Sequence, residues 1–442
     1  MRLRGRSPLL SLFKSEVAAA EIPTIFKRFV EIIGAAPWSK RYRTLSAEAV
    51  RNPFMQPFIE NRHALELSLG PLIERVETFG SLRDGDLTDA HYAVIAFVAP
   101  LVHIYEGLPQ SGRQRVQGML RDGLNSHRGL LPLSNEIDTA THLMLRGFDV
   151  TFSDIESGGG FDFLARRETV ELEVECKSVS SDFGRKIHRQ HMAALGAKLH
   201  PILRQALGSA IGGQIVRLIL PSRLPSDTAA LDDIVRVTSR AIIERSPVVG
   251  SEPCEIQLET FDIAQSPFNV PDRGSIDEPS VQMFLADLLG STIPHALIAA
   301  RPPSSAVAVL VSSRVSNSVV TFLLRDLKDA ARGQFTRTRP GVLVVQFLDL
   351  NADDLLELAA HDSVEPANAS ALQLATNLFF RSVKRAHVHT LVYRSHGVVQ
   401  RTSQVTDNRI NHSLQEQGPT YSFRNPQHPF AADPRYSVFS GT

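Results

Sequence analysis

The sequence predicts an α/β protein, a mixed-sheet core flanked by helices, with a helical region before it and a further α/β region after it. Three observations predict this. Between residues 148 and 179 three short runs alternate in the period of strands, FDVTF, FDFLAR and ELEVECKSV, and are broken by Gly158–Gly160 and by RRET. Helical patterns stand on both sides of these runs, SNEIDTATHLMLR before them and a basic segment after them. Downstream, strand-like and helix-like segments continue to alternate from about 214 to 393.

At 442 residues the chain has room for two or three domains, and 43% hydrophobic with 21% charged residues is a globular composition. Lys plus Arg equals Asp plus Glu at 47 each, so a polyanion would have to be met by a local basic surface rather than by an overall field. Two cysteines, Cys176 and Cys254, build neither a disulfide framework nor a Cys-based metal site, and with no signal peptide pattern they predict a cytoplasmic protein. The longest apolar run, 90–105, is broken by His91, Pro100 and His103 and is shorter than the roughly 20 residues that span a bilayer, so no membrane segment is expected.

Residues 1–129 predict a mainly helical N-terminal region, with helices at 15–34, 61–79 and 86–106, the last kinked or divided at Pro100, and one from Ser111 to about 120. Residues 130–265 predict the core. Its first helix, 134–146, takes Ser134 as N-cap and Gly147 as exit. After the three strands, Ser180, Ser181 or Asp182 caps a helix carrying Arg185, Lys186, His188, Arg189 and His191. A strand at 214–220, a helix from 226 to about 244 and a strand at 254–262 complete it. Residues 266–395 predict a C-terminal α/β region opening on a Pro/Gly/Asp linker at 267–279, with strands at 306–311, 342–348 and 387–393 and helices at 281–289, 321–334, 353–360 and 368–384. Residues 396–442, rich in Asn, Gln, His, Pro and Ser, predict an irregular tail.

The chemistry concentrates in residues 158–189. In ELEVECKSV, Glu171, Glu173, Glu175 and Lys177 fall on one face and Leu172, Val174 and Cys176 on the other. Four charges on one strand face ordinarily mark a solvated face. Asp162, however, stands alone between Phe161 and Phe163, and a buried carboxylate is costly unless it is paired or metal-bound. Two carboxylates brought together repel unless a cation lies between them, and a hard divalent cation prefers oxygen ligands.

This arrangement resembles the PD-(D/E)xK phosphodiesterases, the restriction-endonuclease-like nucleases, over about residues 130–220. The resemblance implies Asp162 as the motif's aspartate, Glu175 as its acidic ligand, Lys177 as its lysine and Glu136 as the glutamate of the preceding helix; the proline common before the aspartate is Phe161 here. It further implies a restriction-endonuclease-like sheet and a Mg²⁺-dependent nuclease, with Mn²⁺ as a substitute and DNA favoured over RNA. Asp162 and Glu175 would hold the metal, and Lys177 would position or activate water. Arg185, Lys186 and Arg189 are candidate phosphate contacts. A homodimer is compatible with action on two strands, and a protein partner could supply recognition. The alternatives are a non-catalytic nucleic-acid-binding or assembly module with the same fold, and an α/β protein whose acidic strand face is merely solvated. Walker, dinucleotide-binding, His-Glu-x-x-His and zinc-finger patterns are absent from the sequence, so ATP-driven and zinc chemistry have no support.

Overall fold

The computed structural model of the chain describes residues 9–82, 87–156, 158–180, 182–209, 212–248, 252–270, 277–289, 295–348, 371–406 and 408–439. The helix expected at 353–360, Ser181 as a cap, and part of the 267–279 linker lie outside these residues. The architecture is mixed α/β, built on two β-sheets in two compact units.

Strand β1 (Leu9–Ala18) comes first among the described residues, and its last four residues fall in the helix the sequence predicts at 15–34. Six helices follow: α1 (Ile22–Ile33), α2 (Ala35–Arg51), α3 (Gln56–Arg62), α4 (Ala64–Phe79), α5 (Asp89–Gly107) and α6 (Gln110–Asn125). Pro100 is buried inside α5 without dividing it. Next come α7 (Leu131–Leu145), β2 (Asp149–Phe152), the single turn α8 (Ser153–Glu156), β3 (Phe163–Arg167) and β4 (Val170–Val179). Then follow α9 (Arg189–Ser209), β5 (Gly212–Leu220), α10 (Thr228–Glu244), β6 (Glu255–Phe261), α11 (Glu278–Leu289), β7 (Ala296–Arg301) and β8 (Ser305–Ser313). The chain closes with α12 (Val319–Gly333), β9 (Gly341–Phe347), α13 (Ala371–Phe380), β10 (Val388–Arg394), β11 (Val398–Thr406) and β12 (Arg409–Arg424).

The larger unit comprises residues 1–47, 59–183 and 319–442. Its sheet runs β1-β12-β10-β9-β4-β3-β2, with β11 also paired to β12. β2, β3 and β4 form an antiparallel meander, and β9 and β10 lie parallel to β4. The pleat sends alternate residues to opposite cores. Phe163, Val174, Cys176, Val344 and Val392 join the helices α1, α4, α5, α6 and α7 on one side. Leu164, Leu343, Val345, Phe347 and Leu391 join α12 and α13 on the other.

The second unit, residues 48–58 and 184–318, has its own four-stranded sheet, β6-β5-β8-β7. The units therefore depart from the expected division at 129, 265 and 395. The strands at 212–220 and 255–261 belong to this second sheet, because β5 pairs with β6 and β8 rather than with the meander. The element that returns to extend the meander's sheet is β9, about 160 residues after β4 in the chain and parallel to it. Nor is 396–442 an irregular tail. β12 pairs with β1, β10 and β11, and Tyr436, Val438 and Phe439 pack into the core beside α7.

Candidate metal and phosphodiester site

The meander sets the site. Phe163 pairs with Val174, and the same register continued one residue puts Asp162, immediately before β3, opposite Glu175. Side chains directly opposite in an antiparallel pair share a face, with Cβ atoms about 5 Å apart. The backbone amide of Cys176 donates to Asp162 Oδ2 at 2.5 Å, and the Asp162 amide in turn stabilises the Glu175 carboxylate. On the same strand face, Lys177 Nζ lies 2.5 Å from Glu175 Oε1.

The charges of β4 are not a solvated face. Glu173 is 0% and Glu175 2% exposed, beneath the core built on α12 and α13. Glu173 is accounted for structurally, since it accepts from the backbone amide of Thr336 (2.8 Å) and from the Thr336 hydroxyl, with Arg339 3.4 Å away. Glu171 at the open end pairs with Arg166 and Arg339. Glu175 differs from both, because its Oε2 is buried with no hydrogen-bond partner among the described residues. A buried carboxylate oxygen left unpaired costs on the order of 1–3 kcal/mol or more.

Glu136 lies on α7, which begins three residues earlier than expected. Ser134 is therefore inside the helix, bonding Asp138 rather than capping, and Glu136 lies beyond the first turn. Burial pushes its carboxyl well above the ordinary range, and the charges of Asp162, Asp154 and Glu175 push it further. Burial also raises Asp162, with Glu175 and Asp154 adding, to about 7. Glu175 is raised by burial, against the pull of Lys177. For Lys177, burial opposes the cation but Glu175 outweighs it, so the ammonium is held charged.

Asp154 is a fourth carboxylate that the sequence reading did not single out. It sits on the α8 turn, clamped where Arg115 Nη1 donates to the carbonyls of Asp154 (2.5 Å) and Ile155 (2.8 Å), and burial raises its own carboxyl. Its signal is visible in retrospect, as an acid just beyond a strand and before a glycine turn. At the last glycine of that turn the backbone runs close to the 334 segment, for a Cβ at Gly160 would meet the Gln334 carbonyl at 2.7 Å. Arg185, Lys186 and Arg189 belong to the second unit, and α9 starts only at Arg189, leaving Arg185 and Lys186 on the preceding turn.

Comparison of the chain with protein-family models, curated proteins and solved structures yields no match.

Among the described residues no group of three or more His, Cys, Asp or Glu side chains is arranged to hold a metal ion. Mg²⁺, however, needs only one or two carboxylates, since it keeps several waters. The facing Asp162 and Glu175, with one buried carboxylate oxygen unpaired, fit that requirement.

The raised carboxyl of Asp162 has a consequence for stability. Between its ordinary value near 3.8 and about 7 the folded protein holds a proton that the unfolded chain releases. Stability is thus lost as pH rises through that window. In EDTA, Asp162→Asn is expected to be more stable than wild type by about 1–3 kcal/mol at pH 8, and equal to it below pH 4. Urea unfolding at the two pH values measures the difference, and equal stability at pH 8 would mean that Asp162 does not carry this burden.

Proposed function

We propose that the larger unit is a Mg²⁺-dependent nuclease of the PD-(D/E)xK type, with DNA favoured over RNA. The observation that carries this reading is Asp162 facing Glu175, whose buried Oε2 lacks a partner, with Lys177 on the same strand face. The electrostatic coupling of Glu136 to all three supports it, as does the order helix, strand, strand that delivers them.

In this reading Asp162 and Glu175 hold the cation, which when bound offsets charge developing on the phosphate. The chain's own groups do the rest. Lys177, held as an ammonium by Glu175, supplies a fixed positive charge beside the reacting phosphate and orients water as a donor rather than removing its proton. Glu136, its carboxyl held well above the ordinary range by burial and by the neighbouring acids, is suited to hold a proton. Asp154 adds negative charge to the cluster and so strengthens its demand for a cation.

The test is cleavage of labelled single- and double-stranded DNA and of RNA, with Mg²⁺ or Mn²⁺ and with EDTA, by wild type, Asp162→Ala and Glu175→Ala. Cutting that needs the cation and is lost in both variants is expected. A second readout is independent of turnover: millimolar Mg²⁺ should raise the Tm of wild type by a few degrees and leave Asp162→Ala unmoved. A wild type blind to Mg²⁺ in both assays would remove the metal site and favour a non-catalytic nucleic-acid-binding module.

A further inference from the structure

β11 leaves one of its edges open. Among the described residues it pairs only with β12, in an unbroken register from Val398 opposite Gln417 to Thr406 opposite Arg409, and eight of its nine residues are exposed. Alternate residues of an antiparallel strand turn their N–H and C=O away from the partner, so the outer edge offers a row of backbone groups for pairing. Val399, Arg401 and Ser403 share the face toward α5. Val399 packs against the core, Arg401 lies over the Tyr92 ring (4.1 Å) with Asp89 3.4 Å away, and Ser403 Oγ is 2.9 Å from His412 Nδ1. Val398, Gln400, Thr402, Gln404 and Thr406 take the other face and are all exposed.

Exposed sheet edges are ordinarily guarded by charge, Pro, a bulge or shortness, since an open edge is a template for another chain. The strands at the two ends of this sheet are guarded in that way. β1 carries Lys14, Glu16 and a bulge between Phe13 and Ser15, and β2 is four residues long and begins at Asp149. β11 holds no Pro, Gly, Lys, Asp or Glu and no bulge, its one charge, Arg401, is engaged by Asp89, and Val398 and Val405 stand 72% and 73% exposed.

The strand also reads nearly the same in both directions about Thr402: Val399-Gln400-Arg401-Thr402-Ser403-Gln404-Val405. An antiparallel copy centred there sets Val399 opposite the partner's Val405, Gln400 opposite the partner's Gln404, Arg401 opposite the partner's Ser403 and Thr402 opposite the partner's Thr402. β-Branched pairs and Thr–Thr pairs stabilise such ladders, and no like charges meet. A slip of one residue exchanges the faces. A slip of two residues sets Arg401 opposite the partner's Arg401 in one direction, and in the other carries Val399 past Thr406, where the strand ends.

We propose that β11 pairs antiparallel with β11 of a second copy of this chain, about a twofold axis at Thr402, joining the two sheets edge to edge. The pairing does not rest on the nuclease reading.

Sedimentation velocity of the full-length protein from about 1 to 100 µM is expected to show a monomer–dimer equilibrium in the micromolar range, because a nine-residue strand pair is smaller than a standard interface. Gln400→Lys with Gln404→Lys places like charges opposite each other and should weaken the dimer at least about tenfold, whereas Gln400→Lys with Gln404→Glu places opposite charges there and should restore it. Within one chain the two positions lie about 13 Å apart along the strand. Their neighbours on β12 are the neutral Gln415 and Asn411, so both variants should keep the wild-type Tm. Thr402→Cys should cross-link as a dimer on mild oxidation and Val398→Cys should not, Cys176 and Cys254 being buried. A wild type still monomeric at the highest concentration, or a dimer equally strong in the two charge variants, would overturn the proposal. Cross-linking of Val398→Cys as readily as Thr402→Cys would overturn it as well.

Discussion

Replacing Lys177 with alanine is expected to lower metal-dependent cleavage by about 10²–10⁴-fold, the range typical of losing one positioned donor or proton-handling group. Lys177 is a cation that acts on Asp162, and Glu175 lies 2.5 Å from its ammonium. Without it, Glu136, Asp154, Asp162 and Glu175 lose the ammonium that offsets their charge, and in the proposed reaction the phosphate loses the positive charge of Lys177. The fold should survive, because Lys177 is 36% exposed and lies near the end of β4 rather than in a packed layer. Single-turnover cleavage at saturating Mg²⁺ separates this from weakened metal binding. Lys177→Arg should retain more activity than Lys177→Met, since charge remains while the fork geometry changes. Cutting by Lys177→Ala at the wild-type rate would dismiss the assigned site.

The second large effect concerns the framework that holds Glu136. On the face of α7 toward the sheet, Asp138 is 0% exposed and forms an ion pair with Lys14 of β1. Lys14 also lies 3.0 Å from Glu416 of β12, and Arg394 of β10 pairs with the same carboxylate at 2.5 Å. Four buried charges thus join one helix to three strands. Arg394→Ala is expected to destabilise the protein by about 3–5 kcal/mol, because it leaves a buried carboxylate short of a partner. Urea unfolding measures this, and a loss below about 1 kcal/mol would mean that the network is not tightly coupled. The sign with pH follows from Glu416. Burial opposes its charge, but Lys14 and Arg394 hold its carboxyl well below the ordinary range. Its contribution is therefore present above about pH 4.5 and is lost as pH falls toward its depressed value.

The sequence made the meander legible because every contact in it is local. Alternation, the glycine turn and the RRET turn suffice to pair β2, β3 and β4, and the register then follows. The same logic failed at both chain ends. Residues 15–18 read as the start of a helix, because β1 finds its order by pairing with β12 some 400 residues away, and 396–442 read as an irregular tail, because its Asn, Gln, His, Pro and Ser carry little apolar alternation even though β11 and β12 form a local hairpin. Asp138 and His142, polar residues within the helix the sequence predicts at 134–146, are both fully buried. Apart from Ser134 one turn away, their partners include Lys14, the Phe13 backbone amide and the Val438 carbonyl, all far away in sequence.

What the sequence by itself determined is the strand face shared by Glu175 and Lys177 and the lone acid Asp162 before the preceding strand, the residues that the family resemblance makes candidates. Only the tertiary structure decided which acids on β4 are left without a structural partner. Glu173 finds Thr336 and Arg339, and Glu171 finds Arg339, on a segment more than 160 residues away, while Glu175 keeps an unpaired buried oxygen. The physical reason is that periodicity reports which face a side chain takes, whereas burial and pairing depend on what the rest of the chain lays against that face.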